Sequence, residues 1–264
     1  MSLRKGTRLE GYRLIERLAR GKTLDVWDAW SDERDCRVIF KTLRPDRRED
    51  RAARRRLLAE GRLLTELSHP HIVRGYEVLS RPQPAVVMET LTGRTVAHLI
   101  DRATRRMAMA DAAMLGLHLC SAVGYLHRRG FVHLDLKPSN VVAEAGRAKV
   151  IDLGFARAPG RVRAGVGTWC YMAPEQARGG LVGAPTDVWG IGAILHEALT
   201  GAATFDRIHG DGFERPYPQL VRRAQPVREL RRVPVGIARV IDACLDPDAA
   251  SRPSVGELAA AVGR

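Results

Sequence analysis

The stretch HLDLKPSN, residues 133–140, decides how this sequence is interpreted. It follows an apolar segment with helical spacing and precedes short strand-like segments, which places its polar side chains in a loop. Asp135 supplies a carboxylate that can accept a hydroxyl proton, and Lys137 can reach a phosphate group. Asn140 supplies an amide oxygen, which suits a hard cation such as Mg²⁺. The stretch therefore predicts a site for chemistry on phosphate groups.

A second loop with a carboxylate, Asp152-Leu153-Gly154, begins twelve residues after Asn140, at the end of the predicted strand AKVI. A carboxylate on a glycine-containing turn can bind a metal ion that bridges phosphates. In this order and spacing, the two loops resemble the HxDxKPxN and DLG signature of protein kinases. Over roughly residues 11–262 the chain is similar to the eukaryotic-like serine/threonine protein kinases of bacteria.

This resemblance implies a role for each polar residue of the two loops. Asp135 orients the acceptor hydroxyl and takes its proton, and Lys137 neutralises charge on the phosphoryl group during transfer. Asn140 and Asp152 bind Mg²⁺, or Mn²⁺, together with the phosphates of ATP. Small-molecule phosphotransferases of related fold have HxDxxxxN without the lysine. Lys137 therefore favours a protein substrate with a serine or threonine acceptor.

The segment VIFK, residues 38–41, resembles the strand that carries the phosphate-binding lysine of the family. The resemblance implies that Lys41 binds the α- and β-phosphates and that Glu60, in the next predicted helix, holds the ammonium group by an ion pair. Glu66 lies on the same helix and is a rival for this role. The turn SHPHIV, residues 68–73, resembles the turn that follows this helix in the family, and its register favours Glu60.

The other nucleotide contacts are also implied by the resemblance. Met88 matches the residue at the back of the adenine pocket, with ordinary core packing as the alternative, and residues 89–91 match the hinge that binds adenine through backbone groups. The full set of predicted nucleotide-binding residues is Gly21, Val26, Ile39, Lys41, Met88, Glu89, Leu91 and Val142.

The phosphate-binding loop departs from the family pattern GxGxxGxV. Of its three glycines only Gly21 is present, where it permits close approach of the backbone to phosphate; Ala19 and Leu24 replace the other two. Ile39 replaces the usual alanine above the adenine and narrows the pocket. These changes support an alternative function, a pseudokinase or a weakly active nucleotide-binding scaffold. The presence together of five polar residues that a scaffold does not need argues against that alternative: Lys41, Asp135, Lys137, Asn140 and Asp152.

The activation region departs from the family pattern as well. Leu134 replaces the arginine that binds a phosphorylated activation loop, and residues 155–167 contain no serine, threonine or tyrosine. We therefore predict an activity that does not depend on phosphorylation of this loop. The nearest acceptor is Thr168, which begins TWCYMAPE, residues 168–175, a segment that resembles the end of the activation region.

Three further residues match structural positions of the family. The resemblance implies that Glu175 pairs with Arg252 and that Asp187, near the start of a nearly all-apolar segment, holds the backbone of the catalytic loop. A buried carboxylate without partners would be costly. We therefore expect Asp187 to accept hydrogen bonds.

Apolar spacing predicts a small strand-rich part followed by a larger helical part. Residues 11–43 contain three strand-like segments, and more strands are expected at 72–79 and 84–89. The pattern Asp46-x-x-Glu49 resembles a capping box that opens a helix to about residue 67. Beyond these elements, helices are expected at 109–129, from Thr186–Asp187 to Gly201, near 234–245 and near 254–262, and short strands at FVHL (131–134), NVVA (140–143) and AKVID (148–152).

The predicted fold is the α+β, bilobal protein-kinase fold, with a small antiparallel β-sheet lobe plus one helix and a larger, mainly helical lobe. The predicted organisation is one kinase domain, residues 1–264, with an N-lobe at about 1–88, a hinge at about 89–93 and a C-lobe at about 94–264. The resemblance implies that Lys41, Asp135 and Asp152 surround one magnesium-bound nucleotide in the cleft between the lobes.

The charge of the chain has two readings. Its 264 residues carry a formal net charge of +13, with five lysines and 38 arginines, an excess typical of GC-rich coding sequences. The arginine-rich segment 47–56, within a predicted helix, is either a solvated face or a docking face for an acidic partner or a membrane surface. Aromatic residues make up only 5% and do not cluster with the basic runs. This composition argues against nucleic-acid binding.

Other features favour a cytoplasmic protein. The sequence contains no run of 18 apolar residues, the length that would indicate a membrane span. Residues 1–14 lack the apolar core of a signal peptide. The four cysteines are widely spaced and form no CxxC pair, which argues against a zinc ribbon and fits a reducing compartment.

Overall fold

Two units divide the chain between them. The computed structural model describes residues 3–81, 83–104, 106–205 and 217–264. The first unit consists of Met1–Thr92 with Asp152–Gly154, and the second consists of Gly93–Ile151 with Phe155–Arg264. The chain passes from the first unit to the second within the segment 89–93. The lobe boundaries and the hinge proposed from the sequence stay a prediction.

The first unit is built on a six-stranded antiparallel sheet. Its strands are β1 (Arg8–Leu9), β2 (Tyr12–Arg20), β3 (Leu24–Ser31), β4 (Cys36–Leu43), β5 (Gly75–Leu79) and β6 (Ala85–Glu89), in the order β1-β2-β3-β4-β6-β5. Successive side chains of a strand point to opposite faces, and one face is apolar, with Tyr12, Trp27 and Phe40 in the buried core. Lys41 follows Phe40 and therefore lies on the other face.

One helix of the first unit, α1 (Arg51–Glu66), packs against β4, β5 and β6. Its buried residues include Leu57, Glu60 and Leu64, whose spacing of three and four places them on one side of a helix. Helical spacing thus places the carboxylate of Glu60 on the buried side of α1, between two leucines.

The predicted capping box at residues 46–49 is wrong. The N-cap of α1 is Asp50, whose carboxylate accepts hydrogen bonds from the first turn of the helix. Asp46 cannot cap the helix because Arg44 binds its carboxylate through two nitrogen atoms. As a result, the first four residues of the arginine-rich segment 47–56 precede the helix rather than form part of it.

Of the strands expected at 72–79 and 84–89, the second corresponds to β6, whereas the first begins only at Gly75. The close packing of β5 on α1 explains the need for glycine there. A Cβ atom at position 75 would lie 2.8 Å from the Cβ of Leu64, closer than real Cβ atoms approach.

The second unit is mainly helical. Its helices are α2 (Val96–Arg102), α3 (Met109–Arg128), α4 (Pro174–Arg178), α5 (Ala184–Thr200), α6 (Pro218–Val221), α7 (Val227–Leu230), α8 (Val235–Cys244) and α9 (Val255–Val262), and its strands are β7 (Arg94–Thr95), β8 (Val141–Glu144), β9 (Arg147–Val150), β10 (Gly160–Arg161) and β11 (Leu181–Val182). Strands β7, β8 and β9 form one sheet, and β10 pairs with β11. The helices expected at 109–129, near 234–245 and near 254–262 correspond to α3, α8 and α9.

Helix α5 is buried along nearly its whole length, as its apolar sequence predicts. Its Trp189 stacks on Phe205, with 5.7 Å between the ring centroids. The helix begins at Ala184, two residues before the expected Thr186, because Gly183 is the N-cap and donates its N–H to the Thr186 hydroxyl.

Arg252 joins several segments of the second unit from a position with no exposed side-chain surface. Its guanidinium group donates to both carboxylate oxygens of Glu175, at 2.8 and 2.9 Å, and to the carbonyl oxygens of Pro185 and Asp246. It also lies over the ring of Trp189, 5.0 Å from the centroid. The Glu175–Arg252 pair implied by the sequence is therefore present.

Helix α3 is long and apolar enough to cross a membrane, judged by length and composition alone. Its Leu115, Leu119 and Leu126 are buried, and it packs against α5, α9 and β9. Because core helices of globular proteins meet the same criteria, α3 is weak evidence for a membrane span.

The structure corrects the prediction at FVHL, residues 131–134, which is not a strand. Val132 forms an isolated bridge with Arg157, and the N–H groups of His133 and Leu134 bind the carboxylate of Asp187 instead of a neighbouring strand. Helix α2 was not predicted from the sequence, because seven residues are too few to show a helical period.

Candidate active site

The first unit contains a cluster of Lys41, Glu60 and Asp152, called here the lysine cluster. The Nζ atom of Lys41 lies 2.8 and 2.9 Å from the two carboxylate oxygens of Glu60 and 3.3 Å from Oδ1 of Asp152. Glu66, the rival candidate on α1, is exposed. The structure thus brings Lys41 together with Glu60, the partner that the turn after α1 favours.

Three elements position this cluster. Lys41 projects from β4 on the face opposite the apolar core, and Glu60 projects from the buried side of α1. The segment Asp152–Gly154 completes it, since the Leu153 N–H donates to Glu60 at 3.3 Å and the Gly154 N–H donates to Asp152 at 2.9 Å. A Cβ atom at position 154 would lie 3.0 Å from Oδ1 of Asp152, so glycine allows the carboxylate to fold back onto this turn.

Burial and ion pairing compete in the lysine cluster. Burial disfavours the charged ammonium group, but the carboxylates of Glu60 and Asp152 outweigh it and raise the pKa of Lys41. Burial raises the pKa of Glu60 to about 7, against the opposing effect of Lys41. A buried charge that loses its partner is costly, so the three groups depend on one another and Lys41 remains a cation.

Half of the eight predicted nucleotide-binding residues, Lys41 included, lie on one face of the sheet of the first unit. Val26 pairs with Lys41 across β3 and β4, and Ile39 pairs with Met88 across β4 and β6. Cross-strand partners share a face, so these residues lie on the same side of the sheet as the ammonium group.

The other predicted contacts lie at the ends of strands or in the second unit. Gly21 lies in the turn between β2 and β3, and Glu89 ends β6, where its carboxylate accepts the Arg74 N–H at 2.8 Å. Leu91 follows β6. Val142 belongs to the second unit, where it is buried in β8.

The second unit contains a cluster of Asp135, Lys137, Asn140 and Thr168, called here the aspartate cluster. The Thr168 hydroxyl donates to Oδ1 of Asp135 at 2.6 Å, and the Lys137 ammonium donates to Oδ2 of Asp135 at 2.9 Å and to the Thr168 hydroxyl at 2.7 Å. The Asn140 amide donates to the backbone oxygen of Asp135 at 3.0 Å and to its Oδ2 at 3.1 Å. A carboxylate, a cation and a hydroxyl group therefore meet at one point.

A network of backbone hydrogen bonds holds the loop that carries Asp135. The buried carboxylate of Asp187 accepts the N–H groups of His133 and Leu134 at 2.8 and 2.9 Å, and it also contacts the ring of His127 at 2.9 Å. Leu134 has a φ of +66°, a strained conformation that persists only where surrounding contacts enforce it. The predicted role of Asp187, holding the backbone of the catalytic loop, agrees with these contacts.

An apolar cluster covers the other side of Leu134. Buried Val132, Leu134 and Val182 pack with partly buried Phe155, Val162 and Val166. Three of these six residues belong to the segment 155–167, which follows the DLG loop. The position where the family has an arginine is thus occupied by a leucine that packs directly on this segment.

Asn140 and Asp152 supply the kind of oxygen atoms that Mg²⁺ prefers. The Asn140 amide nitrogen is used by Asp135, and its Oδ1 accepts no hydrogen bond from the part of the chain that the structure describes. The carboxylate of Asp152 is 37% exposed. No group of three or more His, Cys, Asp or Glu residues suited to a metal ion occurs among the described residues. Within its own unit, each of these residues therefore offers an oxygen that fits a Mg²⁺ ion whose other ligands include phosphate groups and water.

Thr168 is the residue whose place in the site was not anticipated. The sequence marked it only as the nearest phosphorylation acceptor, whereas its hydroxyl lies between Asp135 and Lys137. The glycine before it, Gly167, is the feature of the sequence that could have indicated this position. Its φ is +119°, and a Cβ atom there would lie 2.9 Å from the Leu134 carbonyl oxygen, so the Gly-Thr pair brings the segment close to the catalytic loop.

The chain is similar in sequence to protein kinases. The model of the protein kinase domain family matches residues 12–261. A probable serine/threonine-protein kinase of Streptomyces coelicolor is 34% identical over 202 residues, which cover 72% of this chain and 30% of that protein. The serine/threonine-protein kinase PknB of Mycobacterium tuberculosis is 36% identical over 187 residues, 64% of this chain and 29% of that protein. The chain spans less than a third of the length of these relatives.

The crystal structure of the Mycobacterium tuberculosis PknI kinase domain has a TM-score of 0.76 to this chain at 24% identity, with 99% of each chain covered. At this identity the likeness concerns the fold. It confirms the predicted fold class, a small antiparallel-sheet lobe with one helix and a larger, mainly helical lobe.

Proposed function

The chain belongs to the protein kinase domain family, and on this premise we propose that it transfers the γ-phosphoryl group of ATP to serine or threonine hydroxyls of proteins. One observation carries the proposal. In the aspartate cluster, the hydroxyl group of Thr168 donates to the carboxylate of Asp135 at 2.6 Å. The ammonium group of Lys137 lies 2.7 Å from the oxygen of that hydroxyl group. A carboxylate and a cation on one alcohol oxygen are what phosphoryl transfer to a hydroxyl requires.

The proposed reaction assigns a separate task to each polar group. The bond between the γ-phosphorus and the oxygen of ADP breaks, a bond to the serine or threonine oxygen forms, and Asp135 receives the hydroxyl proton. Lys137 offsets negative charge on the moving phosphoryl group, and Lys41, held by Glu60, binds the phosphates that are not transferred. Asn140 and Asp152 would hold Mg²⁺, which neutralises charge on the phosphates when it is bound.

A transfer assay tests this function. The purified chain, given radiolabelled Mg·ATP and a serine- and threonine-containing acceptor protein, should place label on serine or threonine. Thermal unfolding gives a parallel measure of binding, because a ligand at 100 times its dissociation constant stabilises a protein by about 2.7 kcal/mol. A thermal shift without any transfer of label would contradict the proposal and support the scaffold alternative. No shift and no transfer would contradict both.

We further propose that activity does not require phosphorylation of the activation segment, for which the nearest acceptor is Thr168. The apolar cluster around Leu134 supports this, because it holds the segment by the packing of Phe155, Val162 and Val166. In the family this task belongs to an arginine at the position of Leu134 and to a phosphate group on the segment, whereas residues 155–167 contain no serine, threonine or tyrosine.

Treatment with a phosphatase should therefore leave the transfer rate unchanged. In contrast, Leu134→Ala should lower both activity and stability, since loss of a buried leucine costs about 2–5 kcal/mol. Leu181→Ala is the matched control, because Leu181 lies on neighbouring β11 with its side chain exposed. An activity lost on phosphatase treatment and regained when Thr168 is phosphorylated would contradict the proposal.

Two further predictions concern the surroundings of the protein. Several arginines of the segment 47–56 are exposed, including Arg51 and Arg55, whereas Arg54 donates to the Ser80 carbonyl at 2.9 Å. We propose docking of an acidic partner on this face, which high salt should weaken. A cytoplasmic location likewise stays a prediction.

A further inference from the structure

One residue, Arg44, binds the whole turn that connects β2 and β3. Its Nη1 atom donates to the carbonyl oxygens of Gly21 and Lys22 at 3.1 and 3.3 Å. Its backbone N–H donates to the carbonyl oxygen of Thr23 at 2.9 Å. Three consecutive carbonyl groups of the turn are therefore directed to one residue.

These contacts also fix the opposite side of the turn. In a planar trans peptide the N–H points away from the C=O. The carbonyl groups of Gly21 and Lys22 point toward Arg44. The N–H groups of the same two peptide units, which belong to Lys22 and Thr23, therefore point away from Arg44. Neither N–H donates to any other residue that the structure describes. Successive free N–H groups form a site for an anionic oxygen.

Arg44 is itself held in place. Asp46 binds its Nε at 2.9 Å and its Nη2 at 2.8 Å, the two-point contact for which a guanidinium group is suited. These hydrogen bonds lower the pKa of Asp46, so the carboxylate stays charged. Arg20, at the end of β2, also lies 3.7 Å from Asp46. Nη1 of Arg44 thus remains available to donate hydrogen bonds to the turn.

We propose that Arg44 is a positioning residue for nucleotide phosphates: it holds the turn 21–23 so that the Lys22 and Thr23 N–H groups face a bound phosphate. The inference rests on the proposed ATP binding. The strands on either side of this turn carry Ala19 and Leu24 where the family has two glycines, which would let the backbone adapt to the ligand. Arg44 supplies by hydrogen bonds an orientation that is present before the ligand arrives, and such preorganisation strengthens binding.

Binding of Mg·ATP and of adenosine to the same variants tests this inference, because adenosine lacks phosphates. Arg44→Ala should weaken Mg·ATP binding roughly tenfold, as expected for loss of hydrogen bonds from a charged group, and leave adenosine binding unchanged. KM for ATP should rise accordingly, with little change in kcat at saturating ATP. Arg44→Lys keeps the charge but not the fork, so it should also bind Mg·ATP more weakly than the unaltered protein.

Arg47→Ala is the matched control. Arg47 lies 3.8 Å from Asp46 with its side chain half exposed. Among the described residues the hydrogen bonds to the carbonyls of the turn come from Arg44, so the Arg47→Ala protein should bind Mg·ATP and adenosine as the unaltered protein does. Unchanged ATP affinity in Arg44→Ala, equal weakening of ATP and adenosine, or full rescue by lysine would each overturn the inference. An unaltered protein that binds neither ligand would instead overturn the proposed function, and this inference with it.

Discussion

Replacing Asp135 by asparagine is expected to lower kcat by about 10²–10⁴-fold, the contribution of a positioned general base. The side chain keeps its size, but it loses the negative charge that attracts Lys137 and the capacity to take a proton. Its new NH₂ group also replaces an acceptor oxygen in either orientation, because Lys137 and Asn140 donate to Oδ2 and the Thr168 hydroxyl donates to Oδ1. Steady-state rates of phosphate transfer measure the effect.

Two comparisons separate loss of chemistry from loss of structure. Because Lys41 and Glu60 are unaltered, the Asp135→Asn protein should bind Mg·ATP with the affinity of the unaltered protein. The same substitution at Asp111, an exposed residue in the first turn of α3, should leave the rate unchanged. A fully active Asp135→Asn protein would eliminate the role of this carboxylate as proton acceptor.

The second large effect is expected on stability. Arg252→Met should destabilise the second unit by about 3–5 kcal/mol, the usual cost of removing one partner of a buried ion pair. The substitution leaves Glu175 without its cation and removes the hydrogen bonds that the guanidinium group donates to the carbonyl oxygens of Pro185 and Asp246. At about 2–4 °C per kcal/mol for a domain of this size, thermal unfolding should shift down by roughly 6–20 °C.

Arg223→Ala is the control, because Arg223 also contacts a partner of Arg252, Asp246. Arg223 lies 3.9 Å from Asp246, but its side chain is 77% exposed, and exposed ion pairs contribute about 0–1 kcal/mol. Adding Glu175→Leu to Arg252→Met should recover part of the loss, since an apolar pair leaves no uncompensated charge. A shift for Arg252→Met as small as that for Arg223→Ala would show that the buried pair is not a source of stability.

Motif spacing predicted those parts of the site in which neighbours along the chain act together. Asp135, Lys137 and Asn140 lie within six residues, and the loop geometry that a short polar segment must adopt brings them into contact. Lys41 and Glu60 were paired by the register of the turn after α1, which distinguishes Glu60 from Glu66.

The failures of prediction have a common physical cause, competition between partners that are distant in sequence or unrelated to local propensity. Asp46 has the residue type and spacing of an N-cap, yet Arg44 binds its carboxylate, and Asp50 caps α1 instead. Residues 131–134 have the composition of a strand, yet Asp187, more than fifty positions later, takes their N–H groups. Neither outcome can be read from a local pattern.

The packing of Leu134 against residues 155–167 has a consequence for how such a protein is controlled. Contacts made by apolar side chains form whenever the chain folds, and no enzyme has to add or remove them. On the proposed phosphorylation-independent activity, every folded copy of this domain would be equally competent from the moment of its synthesis. The amount of output would follow the number of molecules that the cell makes and degrades, and the access of each to its substrate.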